Sequence, residues 1–252
     1  MNGVAGPCDP QNLLNGNSFH AKQHLIVRVL HRYQIDDISL LAYDEAGSQA
    51  ADWVAQELQA DRYRLRDRHF NEGDVVIDIG AHIGLFSIYL AKRWPFLKVF
   101  AFEAFPTNYR NCADNLQLNR VKNVVLSPKA IAKDDRVLSM ATDPQNSGGA
   151  SVIVSTFEAN GIVADIASMT LHQVFSLHEI RRCKLLKIDC EGMEYEILFG
   201  AQVLDRVEYL VGEFHASPSL QSQGWCPERL RAYCSSFLED DKMAIEFNEI
   251  PE

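Results

Sequence analysis

Short apolar runs alternate with segments of helical spacing from residue 74 onward, and this alternation limits the possible folds more than any other feature. The runs occupy 74–79, 98–103 and 123–127, and the helical segments occupy 83–93 and 108–119. Strands joined by helices of about 10–15 residues form βαβ units around a parallel sheet. The runs lack polar alternation, which is typical of strands covered by helices on both faces. The sequence therefore predicts an α/β fold with a mostly parallel sheet.

The alternation breaks over 136–171 and then resumes. Strand-like runs at 136–142, 151–155 and 162–171 predict a β insert, in which the loop Asn146–Ala150 either covers a pocket or makes a hairpin turn. The later elements are predicted as strands at 185–190, 209–214 and 244–248 and helices at 193–204 and 227–238. We therefore expect five parallel strands, an insert between the third and the fourth, and a C-terminal strand.

The N-terminal quarter carries a different pattern. Residues 1–20 are rich in Asn, Gly and Pro and predict a loose leader, and helical spacing over His24–Tyr33 and Gln49–Leu65 predicts two helices. We therefore divide the chain into a helical extension, 1–70, and a catalytic domain, 71–252.

Composition excludes several classes of protein. A chain of 252 residues can bury a core without disulfides. Its formal net charge of −10 opposes binding to a phosphate backbone, so we expect no nucleic-acid partner. The six cysteines include no C-x-x-C pair, which is typical of free thiols in a reducing compartment and disfavours structural zinc. The N-terminus does not resemble a secretion signal, and no apolar run approaches the roughly 18 residues of a membrane span. These observations predict a cytoplasmic protein without a membrane partner.

The first strand runs into a glycine-containing turn with the sequence Asp78-Ile-Gly80-Ala-His82-Ile-Gly84. Gly80 can adopt a positive φ, and Gly84 permits close approach of backbone or ligand. The N-terminus of the following helix favours a carboxylate or a phosphate. The pattern is not G-x-G-x-x-G, because position 82 is His and position 85 is Leu85. The turn alone also fits a tight β–α connection without a ligand.

Glu103 ends the second strand, about 20 residues after this turn. An acidic side chain there can accept hydrogen bonds from both ribose hydroxyls of a bound nucleoside. Its alternative role is to cap a helix. The turn and the acid together fit NAD and S-adenosyl-L-methionine (SAM) equally well.

A third segment, Lys187-Ile-Asp189-Cys-Glu191-Gly192-Met-Glu194, places carboxylates at the end of a later strand. Open α/β sheets bind ligands at the carboxyl ends of their strands. This segment therefore marks the edge of the sheet where chemistry is expected.

Together these segments resemble the FkbM-like SAM-dependent methyltransferases. The resemblance runs from about Asp74 to Glu213. It rests on VVIDIGAHIG, VFAFEAFPTNYRNCADNLQLN, NSGGAS, MTLHQVF and LLKIDCEGMEYEILFGA, in that order. It implies a Rossmann-like class I methyltransferase fold, SAM as cofactor with S-adenosyl-L-homocysteine as product, and methylation of a hydroxyl on a sugar or small natural product.

The resemblance also implies roles for individual residues. Asp78, Gly80 and Gly84 would lie around the methionine moiety of SAM, Glu103 would hold the ribose, Ala130 and Ile131 would lie near the adenine, and Asp189 would lie near the transferring methyl. His82 would either hydrogen-bond SAM or tilt it. The chain departs from the family at His82, Ala104 and His172, where Asn, Pro and Asp are usual. It also ends without the further antiparallel strand usual in this fold. Either the N-terminal helices or a second subunit, as in a homodimer, would then cover the edge of the sheet.

A hydroxyl acceptor needs a base within hydrogen-bond reach. We predict that His215 or Asp189 takes the proton, with Glu213 and Glu191 orienting acceptor or base. We predict no metal, although these four side chains offer the hard ligands of a Mg²⁺ site as an alternative.

Three other functions stay open at this point. The same fold could methylate a nitrogen, such as a peptide or amide acceptor. A nicotinamide-dependent oxidoreductase would need the missing G-x-G-x-x-G pattern. A non-catalytic SAM-binding protein would not need the carboxylates at 189, 191 and 213.

Overall fold

The structure is a computed structural model that describes residues 27–143, 146–151 and 162–249. Its strands are β1 (Arg28–Ile35), β2 (Ile38–Glu45), β3 (Val75–Ile79), β4 (Lys98–Phe102), β5 (Val124–Ser127), β6 (Ala130–Ala132), β7 (Val137–Asp143), β8 (Asn146–Ser151), β9 (Ile162–Thr170), β10 (Cys183–Ile188), β11 (Val207–Ala216) and β12 (Met243–Glu249). Its helices are α1 (Ala50–Gln59), α2 (Leu85–Arg93), α3 (Pro106–Leu118), α4 (Leu171–Leu177), α5 (Glu194–Gly200), α6 (Pro218–Ser222) and α7 (Pro227–Cys234). The predicted leader 1–20 and most of the predicted strand 151–155 lie outside the described residues.

Six parallel strands form the central sheet in the order β5-β4-β3-β10-β11-β12. The predicted α/β fold, with its mostly parallel sheet and helices on both faces, is confirmed. The strand order reverses direction between β3 and β10. Crevices that bind ligands form at such a reversal, outside the carboxyl ends of the strands. Lys187 of β10 is in register with Asp78 of β3, so the two motifs predicted to carry chemistry end side by side.

The predicted β insert lies between β5 and β10, as expected. Its strands β7, β8 and β9 pair antiparallel, and β6 joins β9 in parallel. The prediction of a loop over Asn146–Ala150 is wrong, because this segment belongs to β8. Asn146 pairs with Asp143 at the end of β7, so the segment starts the second strand of a hairpin.

The prediction of a helix over His24–Tyr33 is wrong. Arg28–Ile35 is the first strand of a hairpin whose turn is Asp36–Asp37, with Asp36 at φ 51°. Asp tolerates such a positive φ, and a two-residue turn aligns the strands on either side of it. The helix predicted over Gln49–Leu65 is confirmed in its first part, because α1 ends at Gln59. The domain boundary after residue 70 stays a prediction.

Asn115 of α3 and Asn119, which follows the last residue of α3, attach the hairpin to the rest of the fold. The Asn115 side chain accepts from the Tyr43 amide at 2.7 Å and donates to the Tyr43 carbonyl at 3.0 Å. Asn119 makes the same pair of bonds with Leu41, at 3.0 and 2.6 Å. The two side chains therefore supply hydrogen-bond partners to the backbone groups on the outer edge of β2, as a neighbouring strand would.

The apolar core has two parts. One packs α1, α2 and the hairpin against the sheet and includes Ile35, Leu40 and Ile88. The other packs the insert, α4, α5 and α7 and includes Phe175 and Leu230. Within the described part of the chain, every helix is too short or too polar to span a bilayer.

Candidate active site

A cavity opens at the carboxyl ends of β3, β4 and β10, at the point where the strand order reverses. The turn after β3, the end of β4, the insert and the segment after β10 form its walls, and α1 forms one further side. The predicted site residues that line it are Gly80, His82, Glu103, Ala130, Ile131, Asp189, Glu191 and Glu213. Three predicted site residues, Asp78, Gly84 and His215, are not among its lining residues.

Gly80 brings the turn after β3 close to the end of β10. Its φ is 77°, and a Cβ there would lie 1.8 Å from the carbonyl oxygen of Asp189. A side chain at this position would therefore push the two strand ends apart. The next residues fold over the end of β4, where the amides of Gly80 and Ala81 donate to the Phe102 carbonyl at 3.0 Å each. His82 follows at φ 51° and reaches the cavity wall. Burial lowers the pKa of His82 to about 4, so its imidazole is neutral at pH 7.

Gly84 and Asp78 contact neighbouring elements of the fold, and the ligand contacts predicted for them stay predictions. A Cβ on Gly84 would lie 2.6 Å from the Cys112 sulfur, so this glycine lets α2 pack against α3. Asp78 is fully buried, accepts from the Ser87 hydroxyl at 2.7 Å and lies 3.6 Å from the Lys187 ammonium. Its carboxylate therefore stabilises a buried lysine rather than lining the ligand cavity.

Glu103 lies where the sequence predicts a ribose-binding acid, at the cavity wall after β4. One carboxylate oxygen accepts from the His82 amide at 2.7 Å, and the other accepts from the Phe105 amide at 2.9 Å. Burial raises the pKa of Glu103 to about 7, although these two amide bonds oppose the change. The carboxylate is thus held in a fixed orientation at the cavity, and its charge depends on pH near neutrality.

Apolar side chains form the wall next to Glu103. Ala130 and Ile131 of β6 line the cavity together with Leu138 and Met140 of the insert. The family resemblance predicts an adenine ring beside Ala130 and Ile131, and the lack of charge on this wall suits a flat aromatic base.

Lys187 also lines the cavity, although the sequence analysis gave it no role. Its ammonium donates to the Gly80 carbonyl at 2.9 Å and lies 3.3 Å from the Asp189 carboxylate. Burial lowers the pKa of Lys187, but Asp189 and Asp78 raise it by more, so the side chain stays charged. A lysine inside the apolar run LLKIDC was the available signal, because a buried lysine must be paired.

Three carboxylates, those of Asp189, Glu191 and Glu213, reach the cavity. Burial alone would raise the pKa of Asp189, but Lys187 and His215 hold it below its usual range. Burial, opposed by His215, raises the pKa of Glu191 to about 7. Asp189 is therefore ionised at neutral pH, whereas Glu191 can exchange a proton there.

His215 lies behind this wall and is 4% exposed. Its Nδ1 is 2.9 Å from Glu194, and its Nε2 is 3.4 Å from Glu213 and 3.7 Å from Glu191. Burial would lower the pKa of His215, but Glu194, with Glu213 and Glu191, raises it well above its ordinary value. An imidazolium carries a proton on both ring nitrogens and has no site for the acceptor's proton, and the role of His215 as base stays a prediction.

The N-terminal segment contributes two residues that sequence reasoning missed. Trp53 and Glu57, one turn apart on α1, line the cavity opposite the strand ends. The Glu57 carboxylate accepts from the Tyr63 hydroxyl at 2.6 Å. The pattern of α1 predicted only a packed helix, because nothing in it indicates which partner the helix faces.

One group of side chains has the spacing of metal ligands. Single donor atoms from Asp189, Glu191 and His215 lie within 4.8 Å of one another. Oxygen-rich sets of this kind bind Mg²⁺ in other proteins. The Mg²⁺ alternative therefore stays a hypothesis for this cluster.

Known sequences resemble this chain over the same region. The methyltransferase FkbM domain family matches residues 78–240. Methyltransferase 1 of Beauveria bassiana is 23% identical over 79% of this chain and 93% of its own length. The 31-O-demethyl-FK506 methyltransferase FkbM of Streptomyces tacrolimicus is 26% identical over 74% of this chain and 82% of its own. A solved structure, precorrin-6y C5,15-methyltransferase from Geobacter metallireducens GS-15, is 21% identical, covers 60% of this chain and 56% of that one, and has a TM-score of 0.35.

Proposed function

Because the chain belongs to the FkbM family of methyltransferases, we propose that it transfers a methyl group from SAM to a hydroxyl of a sugar or small natural product. The single observation that carries this proposal is the cavity at the reversal of strand order, with Glu103 on one side and the carboxylates of Asp189 and Glu191 on the other. The strand ends and the insert that form most of its wall lie within residues 78–240, which match the family.

The residues of the cavity fit SAM and its product S-adenosyl-L-homocysteine. Glu103 would bind the ribose hydroxyls, and Ala130 and Ile131 would cover the adenine. Asp189 and Glu191 add negative charge where a positively charged sulfonium would lie. When bound, SAM supplies a methyl group on that electrophilic sulfonium. Gly80 and His82 would lie beside its methionine portion.

The side chains that α1 contributes to the cavity favour an acceptor that has a ring and hydroxyl groups. Trp53 is 52% exposed although it lines the cavity, so its ring is available at the mouth. Glu57 lies one turn further along the helix and offers a hydrogen-bond acceptor. Aromatic rings supply contact area for a ligand, while a few polar groups fix its orientation. The name of the Streptomyces relative, a 31-O-demethyl-FK506 methyltransferase, is consistent with a natural-product hydroxyl.

The chain's own residues supply position and a proton acceptor. The cavity walls exclude water from the acceptor and align its oxygen with the donor. A hydroxyl loses its proton as it attacks, so a base must lie within hydrogen-bond reach. Asp189 and Glu191 are the carboxylates beside the predicted methyl position, and Lys187 fixes the first of them.

The test is methyl transfer from radiolabelled SAM to a panel of sugars, hydroxylated natural products and peptide amides. We expect label in hydroxyl acceptors, with turnover reduced at least about 100-fold in Asp189→Asn, whereas Glu72→Gln, an exposed carboxylate, is unaffected. Label only in amides would favour the N-methyltransferase alternative. Activity that persists in excess EDTA would end the Mg²⁺ alternative. Binding of NADH instead of SAM would overturn the proposal.

A further inference from the structure

We propose that the methyl acceptor carries a protonated amine in addition to the hydroxyl that is methylated, and that Trp53 and Glu57 of α1 bind this positive charge. The inference rests on the proposed function and deepens it, because it names the chemical class of the acceptor. That class is the hydroxylated amines, which include the amino sugars. The binding position for the amine lies on the side of the cavity opposite the strand ends.

Glu57 is a carboxylate of the cavity wall that lacks a positive partner. It accepts from the Tyr63 hydroxyl at 2.6 Å, and this donor is uncharged. Over residues 27–143, 146–151 and 162–249, no basic side chain lies within ion-pair distance of the Glu57 carboxylate. A carboxylate that is partly removed from water is stabilised by a positive partner, which offsets its lost hydration. Glu57 therefore offers a negative charge to the ligand that fills the cavity.

The charges nearest to Glu57 across the cavity are mostly negative. Burial raises the pKa of Glu57, and the Tyr63 hydroxyl lowers it. The carboxylates of Glu213 and Asp189 raise this pKa further. Lys187 opposes them, but its ammonium lies 3.3 Å from Asp189 and is already engaged there. A positive charge on the ligand would reduce the repulsion among these carboxylates.

The other carboxylates of the cavity have partners that Glu57 lacks. Asp189 and Glu191 lie at the strand ends, where the sulfonium of SAM is proposed to bind. Glu213 lies 3.4 Å from Nε2 of His215. A second positive charge in the cavity is therefore best placed beside Glu57.

Trp53 is an independent observation that favours a cation at the same place. It precedes Glu57 by one helical turn, so the two side chains share a face of α1. Its ring lines the cavity and is 52% exposed, whereas Ala51, Ala55 and Leu58 attach the helix to the core. Packing therefore does not require the exposed ring. The face of an indole attracts ammonium groups, and a carboxylate beside it adds a charged hydrogen-bond acceptor.

The first experiment measures binding to the full chain saturated with S-adenosyl-L-homocysteine. Calorimetry compares glucosamine with N-acetylglucosamine, and serinol with glycerol, so that each amine has an uncharged counterpart. At neutral pH each amine should bind at least about tenfold more tightly than its counterpart, because it forms a charge-assisted hydrogen bond with Glu57. Glu57→Gln should abolish this difference. Tyr63→Phe, which keeps the charge of Glu57, and Glu72→Gln, which removes an exposed carboxylate, should both retain it.

Four results would overturn the inference or its premise. Equal affinity of the two members of each pair, or no binding of either amine, would overturn it. A loss of affinity for S-adenosyl-L-homocysteine in Glu57→Gln would overturn it as well, because Glu57 would then bind the amino group of the cofactor. Competition by MgCl₂ beyond that by NaCl at the same ionic strength would assign the carboxylate to a metal ion. Absence of S-adenosyl-L-homocysteine binding by the wild type would instead overturn the proposed function itself.

The second experiment follows methyl transfer to the amine that binds most tightly and to its uncharged counterpart. Spectra of the product should show the methyl group on oxygen and an unmethylated amine. Trp53→Leu keeps apolar contact but loses the aromatic ring, so it should reduce kcat/KM about threefold more for the amine than for the counterpart. Methylation of the nitrogen, equal reductions for the two acceptors, or turnover of the counterpart alone would contradict the inference.

Discussion

The buried ammonium of Lys187 lies between the central sheet and the ligand cavity. It faces Asp78 on the sheet side and Asp189 on the cavity side. A charge taken out of water is tolerated only when its partners are in place, and removal of one partner leaves the others uncompensated. The residues that hold the cavity together and those that would do chemistry are therefore linked through one ammonium group.

We expect Lys187→Met to reduce the free energy of unfolding by about 3–5 kcal/mol, because Asp78 and Asp189 lose their counter-charge. Urea unfolding measures the change. The exposed Lys122→Met is the matched control and should change stability by less than about 0.5 kcal/mol. Equal effects of the two substitutions would contradict the assigned role of Lys187.

We expect Glu103, as the proposed ribose ligand, to make cofactor binding depend on pH. Its pKa is raised to about 7 by burial, and ribose hydroxyls donate best to the ionised carboxylate. Binding should therefore lower the pKa of Glu103, and affinity for S-adenosyl-L-homocysteine should fall as pH drops from 7 to 5.5, by up to about tenfold per unit. Titration calorimetry at several pH values measures this. Glu103→Gln should bind more weakly at pH 8 and with a flatter pH profile, and an unchanged profile would contradict the assignment.

The stability of the folded protein should respond to Glu103 in the same pH range. Its pKa in the folded state is above the ordinary value, so the folded state binds the proton more tightly than the unfolded chain does. The contribution of Glu103 to stability is therefore greatest below about pH 4.5 and is lost as the pH rises through about 7. Between pH 5 and pH 8, the free energy of unfolding should fall more for the wild type than for Glu103→Gln, which has no titrating group at this position. Urea unfolding of both proteins at the two pH values measures the difference.

Residue types were easier to predict from the sequence than their roles. Gly80 and Gly84 both have a positive φ, as expected of glycines in a turn, yet one faces the end of β10 and the other faces Cys112. Asp78 precedes the turn as ligand-binding acids do, but it binds Ser87. Which neighbour meets each side chain depends on strand register and helix packing, and those are not local properties of the sequence.

At the scale of elements, the predicted and observed structures agree for the strands and helices of the central sheet and differ over the described residues 28–45. The segment HLIVRVLHRY has apolar residues at helical spacing but also carries β-branched residues and precedes the turn Asp36–Asp37. Its residues from Arg28 onward form β1 by pairing with β2, whose backbone in turn is bound by Asn115 and Asn119. Side-chain bonds between distant elements override local periodicity here.

The asparagine contacts can be tested in place. Asn115→Ala should leave the Tyr43 amide and carbonyl without partners and reduce stability by about 1–3 kcal/mol. Amide hydrogen exchange should show faster exchange at Tyr43. Gln117→Ala, an exposed position on the same helix, should leave both quantities unchanged, and protection of Tyr43 in Asn115→Ala would contradict the contact.

At the scale of the whole molecule, α1 closes a cavity whose other walls lie within the family-matched residues. The family match begins at residue 78, whereas Trp53 and Glu57 belong to the preceding segment. We therefore expect this segment to distinguish acceptors, while the sheet edge binds the cofactor that the family has in common.

Trp53→Ala should raise the KM for the acceptor about tenfold through loss of ring contact, with affinity for S-adenosyl-L-homocysteine unchanged. Trp53→Phe retains an aromatic ring and should recover part of the loss. Steady-state kinetics and calorimetry separate the two effects. A loss of cofactor affinity equal to the loss of acceptor affinity would show that α1 does not act on the acceptor alone.

The most direct test is a crystal structure with S-adenosyl-L-homocysteine. We expect the adenosyl group at the carboxyl ends of β3 and β4, with both ribose hydroxyls within hydrogen-bond distance of Glu103 and the adenine against Ile131. The homocysteine sulfur should point toward Asp189 and Glu191. An adenosyl group bound elsewhere, or a ribose that makes no contact with Glu103, would contradict the proposed cofactor site.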